Sequence, residues 1–197
     1  MKIKILEISV FAALLICVIS SVSFSNECDD IRSSLLRLHV IASGDTEEEQ
    51  ALKLKVRDAI LKDGADIFSQ NDCLDSAFEK AGKNLKKLTE SAEKTIRENG
   101  YTYDVRVELT ECYFPTRVYE NITLPAGKYN AVRVIIGDGE GKNWWCVMFP
   151  PMCLPAAKEN EAVLNDILGE KSMDIISNSH KYEVRFWIVV YFNNNFS

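Results

Sequence analysis

The chain opens on a long apolar run that only small or hydroxyl side chains interrupt. Residues 8–22 carry only apolar, small or hydroxyl side chains, Lys2 and Lys4 precede them, and Glu7 stands at the near edge. A positive start, an apolar stretch, small residues at Ser23 and Ser25 and then the polar run 26–30 form the layout of an export signal. This layout predicts cleavage after Ser25. The run is slightly short and hydroxyl-rich for a spanning helix, which needs about 20 mostly apolar residues, so retention as an anchor is the alternative to release.

Beyond that segment the pattern predicts one domain, residues 26–197, unbroken by a repeat or a Pro/Gly/Ser linker. Leu36, Leu38 and Val40 alternate with Arg37, His39 and Ile41 in a short strand over 36–42. Asp45 or Thr46 caps a helix running to about residue 62, because Glu48 and Glu49 lie three positions beyond each and can return a bond to the cap. A second, longer helix is predicted over 71–99: Leu74, Phe78, Ala81, Leu85, Leu88, Ala92 and Ile96 recur at threes and fours, and Gly100 is placed to stop it.

After Gly100 the period drops to two. Tyr101, Tyr103, Val105, Val107 and Leu109 alternate with polar residues in a half-buried strand over 101–109. Further strands are predicted over 112–119, 129–136, 144–149 and 182–192, a short helix over 156–168, and a hairpin turn at 137–141 between neighbouring strands. Helices followed by mostly antiparallel strands make an α+β domain, with two N-terminal helices packed on one face of the sheet. The opposite face then needs a cover or a partner.

Composition narrows the function. Without its first segment the chain keeps about 170 residues, enough for one core that buries about 70% of the unfolded surface. The net charge is −6 and no Lys/Arg run is interleaved with aromatics, so nucleic acid is excluded as a partner, and membrane contact is limited to the N-terminal segment. No small-molecule substrate or cofactor is indicated. Of six cysteines, Cys17 lies in the export segment; no zinc-ligand spacing is present and the only histidines are His39 and His180. No metal site is expected.

The chemically unusual stretch is 143–153. Trp144 and Trp145 are adjacent on a strand and must point to opposite faces. Pro150 and Pro151 end that strand. Cys146 and Cys153 enclose a loop in which a disulfide would contribute about 2 kcal/mol. Cys112 is a further disulfide candidate, and the pairing among Cys28, Cys73, Cys112, Cys146 and Cys153 stays open. Trp serves cores and binding hot spots alike, so a packed strand and a partner-binding knob are both open readings. Catalysis has one candidate, a Cys146–His39 pair in an exported cell-wall hydrolase.

The block Asn143, Trp144, Trp145, Cys146, Val147, Met148, Phe149, Pro150, Pro151, Met152, Cys153 resembles the stage II sporulation protein R family. So do Pro125 to Tyr129, the run Tyr113, Phe114, Pro115, Thr116, Arg117 and the first-helix residues Gln50 to Ala59. Members usually carry Leu where this chain has Met152, a swap of similar volume. His39 stands where arginine or another residue is expected, so no role transfers to it. The resemblance implies a non-enzymatic signal protein. Such a protein is exported into the space between forespore and mother cell, where it activates a membrane-embedded aspartic protease that processes the sigma-E precursor. Aromatics prone to exposure beside rigid prolines make Trp144, Trp145, Phe114, Pro115, Thr116, Pro150 and Pro151 the receptor-contact candidates.

Overall fold

A computed structural model describes residues 2–67, 74–119, 122–150 and 160–177. Helix α1 (Lys2–Ser33) leads into strand β1 (Leu36–Ile41), then helices α2 (Glu47–Ile67), α3 (Leu74–Lys83) and α4 (Leu85–Glu98). Strands β2 (Val105–Phe114), β3 (Arg117–Tyr119), β4 (Ile122–Leu124), β5 (Gly127–Ile136) and β6 (Asn143–Phe149) follow, and α5 (Asn160–Ser177) is the last described element. The fold is α+β, with a mixed, mostly antiparallel four-stranded sheet in the order β2-β5-β1-β6. β1 runs parallel to β5 and antiparallel to β6. A separate two-stranded ribbon pairs β3 with β4.

β1 is central, and all six of its residues are buried. Its even positions, Leu36, Leu38 and Val40, share a core with Val132, Val134, Cys146 and Met148 and with α2, α3 and α4 through Leu52, Val56, Ala81, Leu88, Ala92 and Ile96. The opposite face is covered by Ile31 at the end of α1 and Leu35 just after it, by Leu164 and Ile176 of α5, and by Ile122 and Leu124 of the ribbon. The face for which the sequence demanded a cover is therefore closed from within the chain.

Local chemistry sets the helix ends. At the start of α2, Glu49 N–H donates to Thr46 Oγ1 at 3.3 Å while Thr46 N–H donates back to Glu49 Oε2 at 3.2 Å. That is the reciprocal capping box; the Thr46 hydroxyl also donates to Glu49 Oε2 at 2.8 Å, and that bond, with the one from the Thr46 N–H, holds the Glu49 carboxyl below the usual range. Lys53, buried one turn on, donates to Gln50 Oε1 at 2.5 Å and to the carbonyl of Lys142 at 2.9 Å, fixing α2 to the loop before β6. At the end of α4, Gly100 (φ 83°) turns the chain while its N–H bonds the carbonyl of Arg97 and that of Tyr101 bonds Ile96. This bond pair is a Schellman stop.

Four sequence expectations are corrected. The helix expected over 71–99 is two helices broken at Asn84, whose side-chain amide donates to the carbonyl of Lys80 at 2.8 Å; that local bond competes with helix continuation. The strands expected over 101–109 and 112–119 are instead one strand, β2, followed by β3 after Pro115 and Thr116. Tyr101 and Tyr103 lie before β2, stacked on each other at 5.6 Å. The 137–141 turn joins strands that are not neighbours, because β1 lies between β5 and β6; Gly141 N–H instead bonds the carbonyl of Ala42 at 3.0 Å. α5 extends past residue 168, with Gly169 (φ 74°) breaking it internally. The strand expected over 182–192 lies outside the described residues.

The capping box gives a first test. Thr46→Ala removes the cap acceptor and should lower stability by about 1 kcal/mol, read as a reduced thermal midpoint with the far-UV spectrum retained; an unchanged midpoint would mean that Lys53 alone secures the helix start.

Candidate functional site

The side chain that organises the far face of the sheet is Arg37. As an odd position of β1 it points away from α2–α4, and it is 0% exposed. Its Nε donates to the carbonyl of Cys146 at 2.8 Å and its Nη2 to the hydroxyl of Tyr119 at 2.7 Å. The guanidinium carbon lies 4.3 Å from the ring centre of Phe114, 4.8 Å from Tyr129 and 5.6 Å from Tyr119. Burial lowers its pKa, and the two tyrosines oppose that shift. A cation under aromatic rings gains about 2 kcal/mol per desolvated contact. Three such contacts are on the scale of the several kcal/mol an ion loses on leaving water.

The segment after β2 is thereby strapped over the sheet. Phe114 is fully buried and meets Trp145 edge-on at 4.8 Å and Tyr129 at 5.6 Å. The Tyr119 hydroxyl donates to the carbonyl of Trp145 at 3.2 Å, carrying the strap across to β6. Tyr129 donates to the carbonyl of Pro125 at 2.6 Å, and burial pushes its pKa up to about 12. Outside α1, the large apolar side chains most exposed among the described residues are Tyr113 (62%) and Val118 (72%), both where the strap leaves and crosses the sheet.

His39, one alternation along β1, stacks on Trp145 at 3.8 Å. Its Nε2 donates to Asn143 Oδ1 at 2.8 Å, since a carbonyl oxygen can only accept. Nδ1 is buried without a partner among the described residues, and burial lowers the pKa of the imidazole. Trp144 takes the opposite face, against the α2–α4 core, with the Arg57 guanidinium 4.4 Å over its ring. The adjacent tryptophans therefore separate as strand geometry requires.

The sequence-derived candidates distribute as follows. Phe114 and Pro150 are buried, Trp144, Trp145 and Pro115 are half-buried, Thr116 is exposed, and Pro151 lies outside the described residues. Cys146 is disulfide-bonded, with a partner outside the described residues, where both Cys73 and Cys153 fall. Cys112 and Cys28 are free thiols. The Cys146–His39 pair is not assembled: Cys146 faces the helix side with Leu38, its register partner, whereas His39 faces the strap, and the Cys146 sulfur is already in a disulfide. Arg37, Tyr119 and Tyr129 were missed as a cluster. The available signal was an arginine within an otherwise apolar central strand.

Fold and site together define a small α+β domain headed by an apolar helix of the kind that begins exported chains. The chain belongs to the stage II sporulation protein R family, whose model matches residues 32–159. It is similar to the stage II sporulation protein R of Bacillus subtilis (strain 168), 28% identical over 187 residues that cover 85% of this chain and 84% of the relative. No solved structure matches.

Two outcomes test the site. A base held neutral in the fold loses stability as pH falls below its unfolded pKa, because only the unfolded chain then gains the proton. With His39 lowered by burial, denaturant stability should be complete above about pH 6.5 and decline below it. His39→Gln, which keeps an amide donor toward Asn143, should flatten that decline; an equal slope would assign it to other groups. Separately, Arg37→Ala should lower stability by about 3 kcal/mol by leaving the buried Cys146 carbonyl and Tyr119 hydroxyl without their donor, and Arg37→Lys should lose nearly as much, lacking the planar fork. A lysine variant as stable as wild type would show that charge alone suffices.

Proposed function

We propose that this chain is an exported, non-enzymatic sporulation signal, acting between the forespore and mother-cell membranes. There it activates a membrane-embedded aspartic protease of the mother cell that processes the sigma-E precursor. The observation that carries this reading is the family membership, which spans residues 32–159 and so takes in the four-stranded sheet and helices α2–α4 rather than the apolar leader. The leader itself supports export: residues Glu7–Ser33 lie in one helix long and apolar enough to cross a membrane, and its apolar stretch is not buried in the fold. Cleavage after Ser25 would release the domain. Activation further requires that the domain bind the active state of the protease better than the resting state, since equal affinity shifts nothing.

Burial refines the contact surface. Phe114 and Pro150 serve as scaffold, while Thr116, Pro115 and the exposed edges of Trp144 and Trp145 remain the candidate contacts, joined by Tyr113 and Val118. Co-expression of the chain with the protease and the sigma precursor in a non-sporulating host should give precursor cleavage; none, with the domain exported and folded, would sink the proposal. In the same assay Val118→Asp should reduce cleavage by about tenfold or more, the scale of one hot-spot residue, with unchanged circular dichroism. Phe114→Ala should instead act through folding, at about 3–5 kcal/mol.

A further inference from the structure

We propose that β2 is the interface at which two copies of this chain join, edge to edge and antiparallel, about a two-fold axis at Val107. This does not rest on the activator reading. β2 is a terminal strand of the sheet, ten residues long, and among the described residues it is paired on one side only, to β5. A long edge with unpaired backbone groups is a template for another strand.

The ladder tells which groups of β2 have no strand partner among the described residues. β2 and β5 pair without a register shift from Val105↔Ile136 to Phe114↔Gly127, and Gly137 N–H donates to the carbonyl of Asp104 at 2.7 Å in the same register. Since hydrogen-bonded and non-hydrogen-bonded pairs alternate, the even residues of β2 spend their backbone groups on β5. The odd ones, Val105, Val107 and Leu109, point theirs outward.

The sequence of that edge complements itself. In an antiparallel pair centred on Val107, Val105 faces Leu109 of the other copy and Arg106 faces Glu108, twice over by symmetry. Odd residues meet odd residues, as the outward groups require. The neighbouring registers are disfavoured: a step one way sets Arg106 against Arg106, a step the other way Glu108 against Glu108, and like charges directly opposite destabilise. Arg106 is exposed and makes no ion pair among the described residues, while Glu108 holds Arg133 at 3.3 Å with both side chains more than a third exposed. The charges that guard this edge against indiscriminate pairing thus match in one register.

The test uses the full chain in detergent micelles, with sedimentation to read its mass. Wild type should be dimeric. Arg106→Glu and Glu108→Arg, each alone, should weaken association by about tenfold or more, because each replaces two attractive pairs by two repulsive ones. A mixture of the two variants should recover a dimer, since every pair then joins opposite charges. Circular dichroism of each variant should match wild type, the Glu108–Arg133 bridge being a part-exposed pair of small effect. As a register check, Arg106→Cys and Glu108→Cys chains should crosslink when mixed and not singly. A monomeric wild type, variants that stay dimeric through α1 alone, or a mixture without recovery would each overturn the proposal. So would Glu111→Pro, which removes one outward N–H, abolishing binding of another protein to a monomeric chain.

Discussion

A guanidinium has to be kept out of water here with no carboxylate against it among the described residues, and the far side of the sheet is arranged around that constraint. Arg37 sits on the central strand, so its charge cannot reach solvent past the neighbouring strands. The rings of Phe114, Tyr119 and Tyr129 supply the negative faces it needs, and the Tyr119 hydroxyl and the Cys146 carbonyl take two of its donors. Those partners come from β2, the ribbon, β5 and β6. One side chain thereby fixes the path of the strap over the sheet.

The same strand accounts for the separation of roles between faces. Because β1 is buried on both sides, its alternation sorts apolar residues toward the helices and Arg37 and His39 toward the strap. β6 follows suit, sending Trp144 and Cys146 one way and Trp145 and Val147 the other. The sulfur of Cys146 and the imidazole of His39, which look like partners in sequence, are thus divided by the thickness of a sheet. His39 stacks on Trp145, and its Nδ1 is buried without a partner among the described residues, so the imidazole is part of the packing on the strap side.

What was legible in the sequence is what periodicity and capping carry. The α2 start was readable because Thr46 and Glu49 stand three apart, and the α4 stop because Gly100 adopts the left-handed turn that residue favours. The opposite faces of Trp144 and Trp145 follow from strand geometry alone. The break at Asn84 was hidden because Ala81 and Leu85 keep helical spacing across it, so the apolar stripe continues where the backbone does not. Strand order was hidden for a different reason. A glycine-rich turn signals a change of direction, but nothing in residues 137–141 records that β1, a hundred residues earlier, already lies beside β5. The Arg37 cage is non-local in the same way: its members are scattered from 37 to 129 and meet only once the strap crosses.

The continuity of α1 bears on reach. From Val22, the last residue of its apolar run, to Ile31, the first fully buried residue, the helix is unbroken, and at 1.5 Å per residue that is a stalk of about 14 Å. The Ser172 hydroxyl holds Glu27 at 3.2 Å, so part of this stalk is already packed into the domain. On the proposed export reading, a domain still attached through α1 would have no slack with which to search: it would ride within about one helix diameter of its own membrane, turning only as α1 turns. The proposed cut after Ser25 would then remove a helical lever arm, not a flexible leash, and the change in accessible volume on release would be correspondingly abrupt.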